Sequence, residues 1–334
     1  MSSIQATGVG SLPGTDMPGA LRHVLGSMEL AWLPELPARG VGADMVGRTA
    51  AMLEGLAVDL QPQGWRLGER SGIDHHRARS LLRADLDELE EYAQTHHGQV
   101  TITATGPLTL AALMERPRGD KVLADHGARR ELASSLGLGL ASLVGEMRRR
   151  LPEVSWRVQL DEPSMPAVIS GQVPTASGFS RLRPVDRPLA SALLEKTTAP
   201  LAGIDCPVRL HSCAAGLDLD LVLRRVAGID QVGLDARWIT GRDWDVLGPW
   251  LEEGGQLVLG LARTDQADQL QRPDELVRRG LELLRPLGLD PTVLHAGLVL
   301  STACGLAGWS TRAASAQLDA LVEAAPLLAE QLAR

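Results

Sequence analysis

The residues best suited to chemistry stand in VRLHSCAAGLD, positions 208–218, where His211 and Cys213 flank a serine. On a β-strand, residues i and i+2 point to the same face, so these two side chains aim at one place. On a helix the same spacing spreads them by about 200°. The β-branched and apolar run before His211 reads as a strand. An imidazole and a thiolate that converge are two good zinc ligands. Taken alone, the pair is weak evidence for a metal, and a buried thiol that packs beside a histidine is the plainer reading. Cys304, in LVLSTACGLAG, also follows an apolar strand-like run and precedes a glycine. Between the two lies QVGLDAR, with Asp235 directly after a further apolar run. One His, two Cys and one carboxylate would complete a tetrahedral site. Asp235 by itself reads as readily as a helix N-cap. Cys206, on the approach to the strand, reads as a packing thiol.

Two more segments carry polar groups just past apolar runs. In VQLDEPSMP, residues 158–166, Asp161 and Glu162 are adjacent, so at most one faces a pocket. A carboxylate there could hold an ammonium group or act as a base, or it could be a solvated loop acid. The glycine-rich ATGVGSLPGT could offer backbone N–H groups and the Ser11 hydroxyl to an anion.

These positions need strands that end on one rim. The strand sequences expected are Gln5–Val9, Val100–Ala104, Arg157–Leu160, Val208–Leu210, Gln231–Leu234, Gln256–Leu261 and Val293–Val299. Helical patterns separate them at Arg83–Gln94, Arg129–Arg150, Leu217–Ala227, Gln266–Leu287 and Ala314–Leu332. Leu132, Leu136, Leu140 and Leu143–Val144 form an amphipathic stripe. Strands joined by helix-length connections imply βα units and a parallel sheet. In 334 residues, that alternation predicts a single α/β domain, residues 1–334, folded as a (β/α)8 TIM barrel. No Gly-x-Gly-x-x-Gly opens a helix after the first strand, which speaks against a dinucleotide-binding sheet. The Pro- and Gly-rich stretches Leu33–Gly42 and Val173–Pro188 predict long loops over the strand ends.

Composition narrows the partners. The net charge of -8, with Lys121 and Lys196 the only lysines, leaves no basic surface for nucleic acid. No run reaches the roughly 18 apolar residues of a membrane span. The N-terminus lacks the basic and apolar regions of a secretory signal. Three scattered cysteines make a poor disulfide framework, and a cytoplasmic protein with reduced thiols is expected.

In chain order, TGVGSLPGT, ADMVGR, TATGPLTL, VQLDEP, RLHSC, VGLDAR and STACGL resemble the C-terminal catalytic barrel of cobalamin-independent methionine synthase. The resemblance runs from residue 7 to about residue 308. It implies a zinc ion that binds homocysteine sulfur as a thiolate and presents it to a methyl donor. Residue by residue, it implies His211, Cys213 and Cys304 as zinc ligands, with Asp235 where the family has a glutamate. It further implies Val9, Gly10 and Ser11 as contacts of the amino-acid carboxylate, and Asp161 as the contact of its ammonium group. Departures concern the donor half. Gly47 stands where the family has a glutamate, and Leu108–Leu113 holds no tryptophan to pack on a folate. Ala167 replaces a folate-contacting acid, and Arg263 is the nearest polar residue to an expected histidine. The family's N-terminal half, which helps hold the folate, has no counterpart here. The expected donor is therefore methyltetrahydrofolate or a methylated corrinoid protein. Competing readings are a methyltransferase of the uroporphyrinogen decarboxylase type, acting on another thiol, and a zinc- and thiol-binding homologue without turnover.

Overall fold

The computed structural model describes residues 4–334. Its strands are β1 (Gln5–Ala6), β2 (Leu30–Trp32), β3 (Ala57–Gln61), β4 (Gly64–Gly68), β5 (Gln99–Thr105), β6 (Ser155–Asp161), β7 (Val208–Ser212), β8 (Ile229–Asp235), β9 (Gln256–Ala262) and β10 (Leu298–Thr302). The helices are α1 (Met17–Ser27), α2 (Met45–Met52), α3 (Ile73–Tyr92), α4 (Pro107–Leu113), α5 (His126–Arg150), α6 (Met165–Ile169), α7 (Arg187–Ala202), α8 (Leu219–Arg225), α9 (Gly241–Glu252), α10 (Pro273–Leu284), α11 (Pro291–Gly297) and α12 (Thr311–Leu332).

Eight strands form one parallel sheet in the order β1-β10-β9-β8-β7-β6-β5-β2. Its two edges meet. Ser11 bridges Glu35 in parallel, the Leu12 N–H donates to the Glu35 carbonyl at 2.8 Å, and the Glu35 N–H donates to the Gly10 carbonyl at 3.2 Å. The sheet thus curls into a nearly closed barrel ringed by helices, the expected α/β architecture. Strands β3 and β4 are an antiparallel hairpin set between α2 and α3, outside the barrel.

Local sequence explains most elements. Asp16, Asp44, Asp125, Asp186 and Asp218 each accept a first-turn backbone N–H and so start α1, α2, α5, α7 and α8. On α5, Leu132, Leu136, Leu140 and Val144 are fully buried, while Arg148–Arg150 complement the negative end of the helix. Full burial of each such side chain contributes about 1.5–3 kcal/mol.

Strands β2, β3 and β4 join those expected from the sequence, and two expected elements are reassigned. β2, only Leu-Ala-Trp, is too short to show any period. The run Val293–Val299 is mostly helix: Asp290 caps Pro291–Gly297, and the strand begins at Leu298. Its apolar residues suit either state, and the Asp-Pro start decides for helix. The helix expected from Gln266 begins at Pro273, because proline at the first position suits a start and residues 266–272 form the loop after β9.

Alternation divides each strand between two environments. Val158, Leu160, Leu210, Val232, Leu257 and Leu259 are fully or almost fully buried and share one face across neighbouring strands. The other face, toward the barrel axis, carries polar groups: Thr103, Gln159, Arg209 and Gln231. Arg209 Nη1 donates to Gln159 Oε1 at 3.0 Å and its Nε donates to Gln231 Oε1; Gln231 passes a bond on to Gln256 at 3.1 Å. This polar layer is the floor of the site.

Candidate metal centre

His211 lies on β7, and Cys213 follows the last residue of that strand. Cys304 lies two residues beyond β10. A ligand atom from each of the three lies within 4.8 Å of the others. The two sulfurs are 3.1 Å apart, well beyond the ~2.05 Å of a disulfide. The imidazole is buried, and its Nε2 has no hydrogen-bond partner of good geometry. A buried polar nitrogen left unpaired is costly, so a ligand at this place would relieve it. Gly233, the β8 neighbour of His211, makes room for the ring: a Cβ there would lie 2.9 Å from Nδ1.

The thiols behave as a pair. Cys304 is held well below the ordinary thiol range, first by its hydrogen bond with Cys213 and then by the nearby His211 ring. The same hydrogen bond, with burial, pushes Cys213 up. One proton therefore leaves readily and one is retained, and a bound cation would favour release of both. A neutral imidazole and two cysteine sulfurs fit Zn2+ in kind and number. Three protein ligands with a fourth position left to a substrate is the pattern of catalytic zinc.

Asp235 ends β8 on the same rim but does not join this group. Its Oδ1 accepts the Arg237 N–H at 3.0 Å, and its Oδ2 lies 2.6 Å from Arg237 Nη2. The capping alternative is the one realised, because Arg237 competes for the carboxylate at close range.

The other expected residues gather beside the cysteines. Asp161 points inward, where its Oδ1 accepts from Gln159 Nε2 at 2.8 Å, and that same nitrogen donates to the Val9 carbonyl at 2.6 Å. The Gly10 carbonyl accepts from Trp32 Nε1 at 2.9 Å. Ser11 accepts the Leu306 N–H on its carbonyl at 2.8 Å, and a Cβ on Gly305 would lie 1.9 Å from its Oγ. The hydroxyl of Ser11 thus sits against the Cys304 loop, with no hydrogen-bond partner among the described residues. Glu162 faces the opposite way, as alternation requires. It accepts from the N–H groups of Leu108 and Thr109, each at 2.8 Å, and from the Thr109 hydroxyl at 2.6 Å. Burial pushes Glu162 up to about 7 despite these donors. It ties α4 to β6 and stays out of the pocket. Cys206 is buried away from the group, its sulfur near the Trp156 carbonyl.

Glu35 is the residue that sequence reasoning passes over. It lies in LPELPARG, just past β2, where it is 5% exposed and accepts from Thr103 Oγ1 at 2.5 Å. Burial raises its pKa, opposed by Arg48. Asp161 is raised well above the usual carboxylate range, first by burial and next by the charge of Glu35. Neither carboxylate has an ion-pair partner within 4.0 Å among the described residues. Two neighbouring acids with no direct ion pair of their own make a pocket suited to an ammonium group. An acid right after a short apolar run was the available signal, and the brevity of β2 hid it.

No known family model matches this sequence, and no curated protein matches it. Among solved structures, the chain is similar to a B12-independent methionine synthase from a Shewanella species in complex with selenomethionine. That likeness has a TM-score of 0.62 at 14% identity and spans 99% of both chains. The chain also aligns with Dispersin B at a TM-score of 0.45 and 9% identity, over 97% of this chain and 98% of that one. At such identities the first likeness bears on the fold.

Proposed function

We propose that this chain is a zinc-dependent thiol methyltransferase made of one barrel, residues 1–334, with homocysteine as the acceptor. The observation that carries the reading is the convergence of His211, Cys213 and Cys304 at the rim, with the His211 Nε2 buried and unpaired. His211 Nε2 and the two sulfurs would hold the ion. When bound, zinc supplies the positive charge that keeps a substrate thiol, ordinarily of pKa about 8.5, deprotonated at neutral pH.

The chain's own residues orient the rest of the acceptor. Asp161 and Glu35 receive its ammonium group, and Gln159 holds the Asp161 carboxylate in place. The unpaired Ser11 hydroxyl donates to its carboxylate. Homocysteine carries these groups in one small molecule, which favours it over thiols that lack an amine. The donor is methyltetrahydrofolate or a methylated corrinoid protein, and neither nucleic acid nor membrane is a partner.

Metal analysis is expected to find about one zinc per chain, lost in Cys213→Ser and in Cys304→Ser. Methionine should form from homocysteine with one of the two donors supplied in parallel. Native protein without metal, or zinc protein that forms no methionine with either donor, would overturn the reading.

A further inference from the structure

Arg209 stands two residues before His211 on β7, so it points into the barrel one layer beneath the imidazole, and it is almost fully buried. A buried guanidinium ordinarily sits against a carboxylate. On β6, Arg157 follows that rule, with Asp230 at 2.7 Å. Arg209 does not: it makes no ion pair among the described residues. Its hydrogen bonds go to two neutral amides. Nη1 donates to Gln159 Oε1 at 3.0 Å, Nε donates to Gln231 Oε1, and Nη2 is buried with no partner of good geometry. Burial draws the group down to about 9, which leaves it charged at neutral pH.

A guanidinium donates and never accepts. Each glutamine must therefore turn its oxygen toward Arg209, which sends the amide nitrogen to the far side. For Gln231 that nitrogen meets Gln256 Oε1 at 3.1 Å. For Gln159 it meets the Val9 carbonyl at 2.6 Å and Asp161 Oδ1 at 2.8 Å. Were the Gln159 amide reversed, its oxygen would face two acceptors, a carbonyl and a carboxylate, and its nitrogen would face a cation. Arg209 thus decides which end of Gln159 reaches the pocket. Thr103 lies opposite Gln159 on β5 and donates to Glu35 at 2.5 Å, so both acids of the pocket rest on donors from one layer. The Thr103 hydroxyl can rotate to suit its acceptor, whereas the Gln159 amide has its direction imposed by Arg209.

We propose that Arg209 is a positioning residue for amine recognition: by locking the Gln159 amide, it presents the Asp161 carboxylate to the ammonium group of an amino-acid thiol. The ligand in this assignment rests on the function proposed above.

Calorimetric titration of the zinc-loaded full chain tests it, with homocysteine and γ-mercaptobutyrate as probes. The second keeps the thiol and the carboxylate at the same spacing and lacks the amine. Wild type is expected to bind homocysteine the more tightly. Arg209→Met should weaken homocysteine binding about tenfold and leave γ-mercaptobutyrate unchanged. The same substitution in a Gln159→Met background should cost nothing further, because the relay is already broken. Arg209→Lys keeps the charge without the planar fork. Its preference for the amine should fall between those of wild type and Arg209→Met, and it carries the test if Arg209→Met does not fold. Equal binding of the two thiols by wild type, Arg209 variants that favour homocysteine as strongly as wild type, or variants that weaken both thiols alike would overturn this assignment alone. A wild type that binds neither thiol would overturn the proposed function and this assignment with it.

Discussion

At the scale of single residues, environment sorts three chemically identical thiols into different roles. Cys213 and Cys304 share a proton beside an imidazole, and Cys304 is drawn toward its thiolate. Cys206 is buried among apolar groups, and that burial raises its pKa from 9.0 to about 11. Because the thiolate is the nucleophile, this shift moves its reactivity upward in pH. In native metal-free protein at pH 8, iodoacetamide is expected to modify Cys304 and leave Cys206 intact. Reaction at Cys206 should begin only as the pH approaches 11, provided the fold persists. Peptide mass spectrometry across pH checks this, and prompt labelling of Cys206 at pH 8 would contradict it. The same competition of surroundings explains Asp235. Residue type and rim position suit it to a metal, yet a guanidinium two residues away takes both of its oxygens.

At the scale of elements, the loop that carries Glu35 is held by a buried ionic clamp. Asp85 on α3, 2% exposed, accepts from Nη1 and Nη2 of Arg39, each at 2.7 Å, and from Nη1 of Arg48 on α2 at 3.0 Å. Arg39 closes the turn after Glu35, so the clamp fixes β2's loop against two helices. Removing Asp85 leaves two guanidinium groups without their acid, one of them fully buried. Asp85→Ala is expected to cost about 3–5 kcal/mol in urea unfolding. A loss below about 1 kcal/mol would mean that the clamp is dispensable. Much of this level was legible in the chain: the α5 stripe and the strand-plus-rim pattern around His211 and Cys304 follow from local rules. The clamp and the short β2 were not. They depend on partners far apart in sequence, and three residues of strand carry no measurable period.

At the scale of the whole molecule, the three residues that could hold a metal stand on or just past β7 and β10, strands separated by β8 and β9. An ion held by His211, Cys213 and Cys304 would tie the two sides of the barrel mouth together. A ligand that binds only the folded chain stabilises it by about 2.7 kcal/mol at a hundredfold excess over its Kd. EDTA is therefore expected to lower the unfolding temperature of zinc-loaded wild type and to leave Cys304→Ser unchanged. Differential scanning measures both; equal shifts in the two proteins, or none in wild type, would remove the ion from the stability of the barrel. Among the described residues no helix is long and apolar enough to cross a membrane.

The HSC stretch thus divides cleanly between what is local and what is not. Alternation along β7 and into the residue that follows it already sends His211 and Cys213 to one face, and the chain order of the βα units already puts Cys304 and Asp235 on the same rim. Those are short-range facts, set by backbone geometry. Which of the rim groups meet is a matter of distance across the barrel, and distance follows from register, from closure at Ser11 and Glu35, and from competing partners. Closure brings Glu35 beside Asp161, and Arg237 withdraws Asp235 from the cysteines. The first outcome is not visible along the sequence, because it depends on groups that only the folded chain brings within a few ångströms; the second is local, set by a neighbour two residues on.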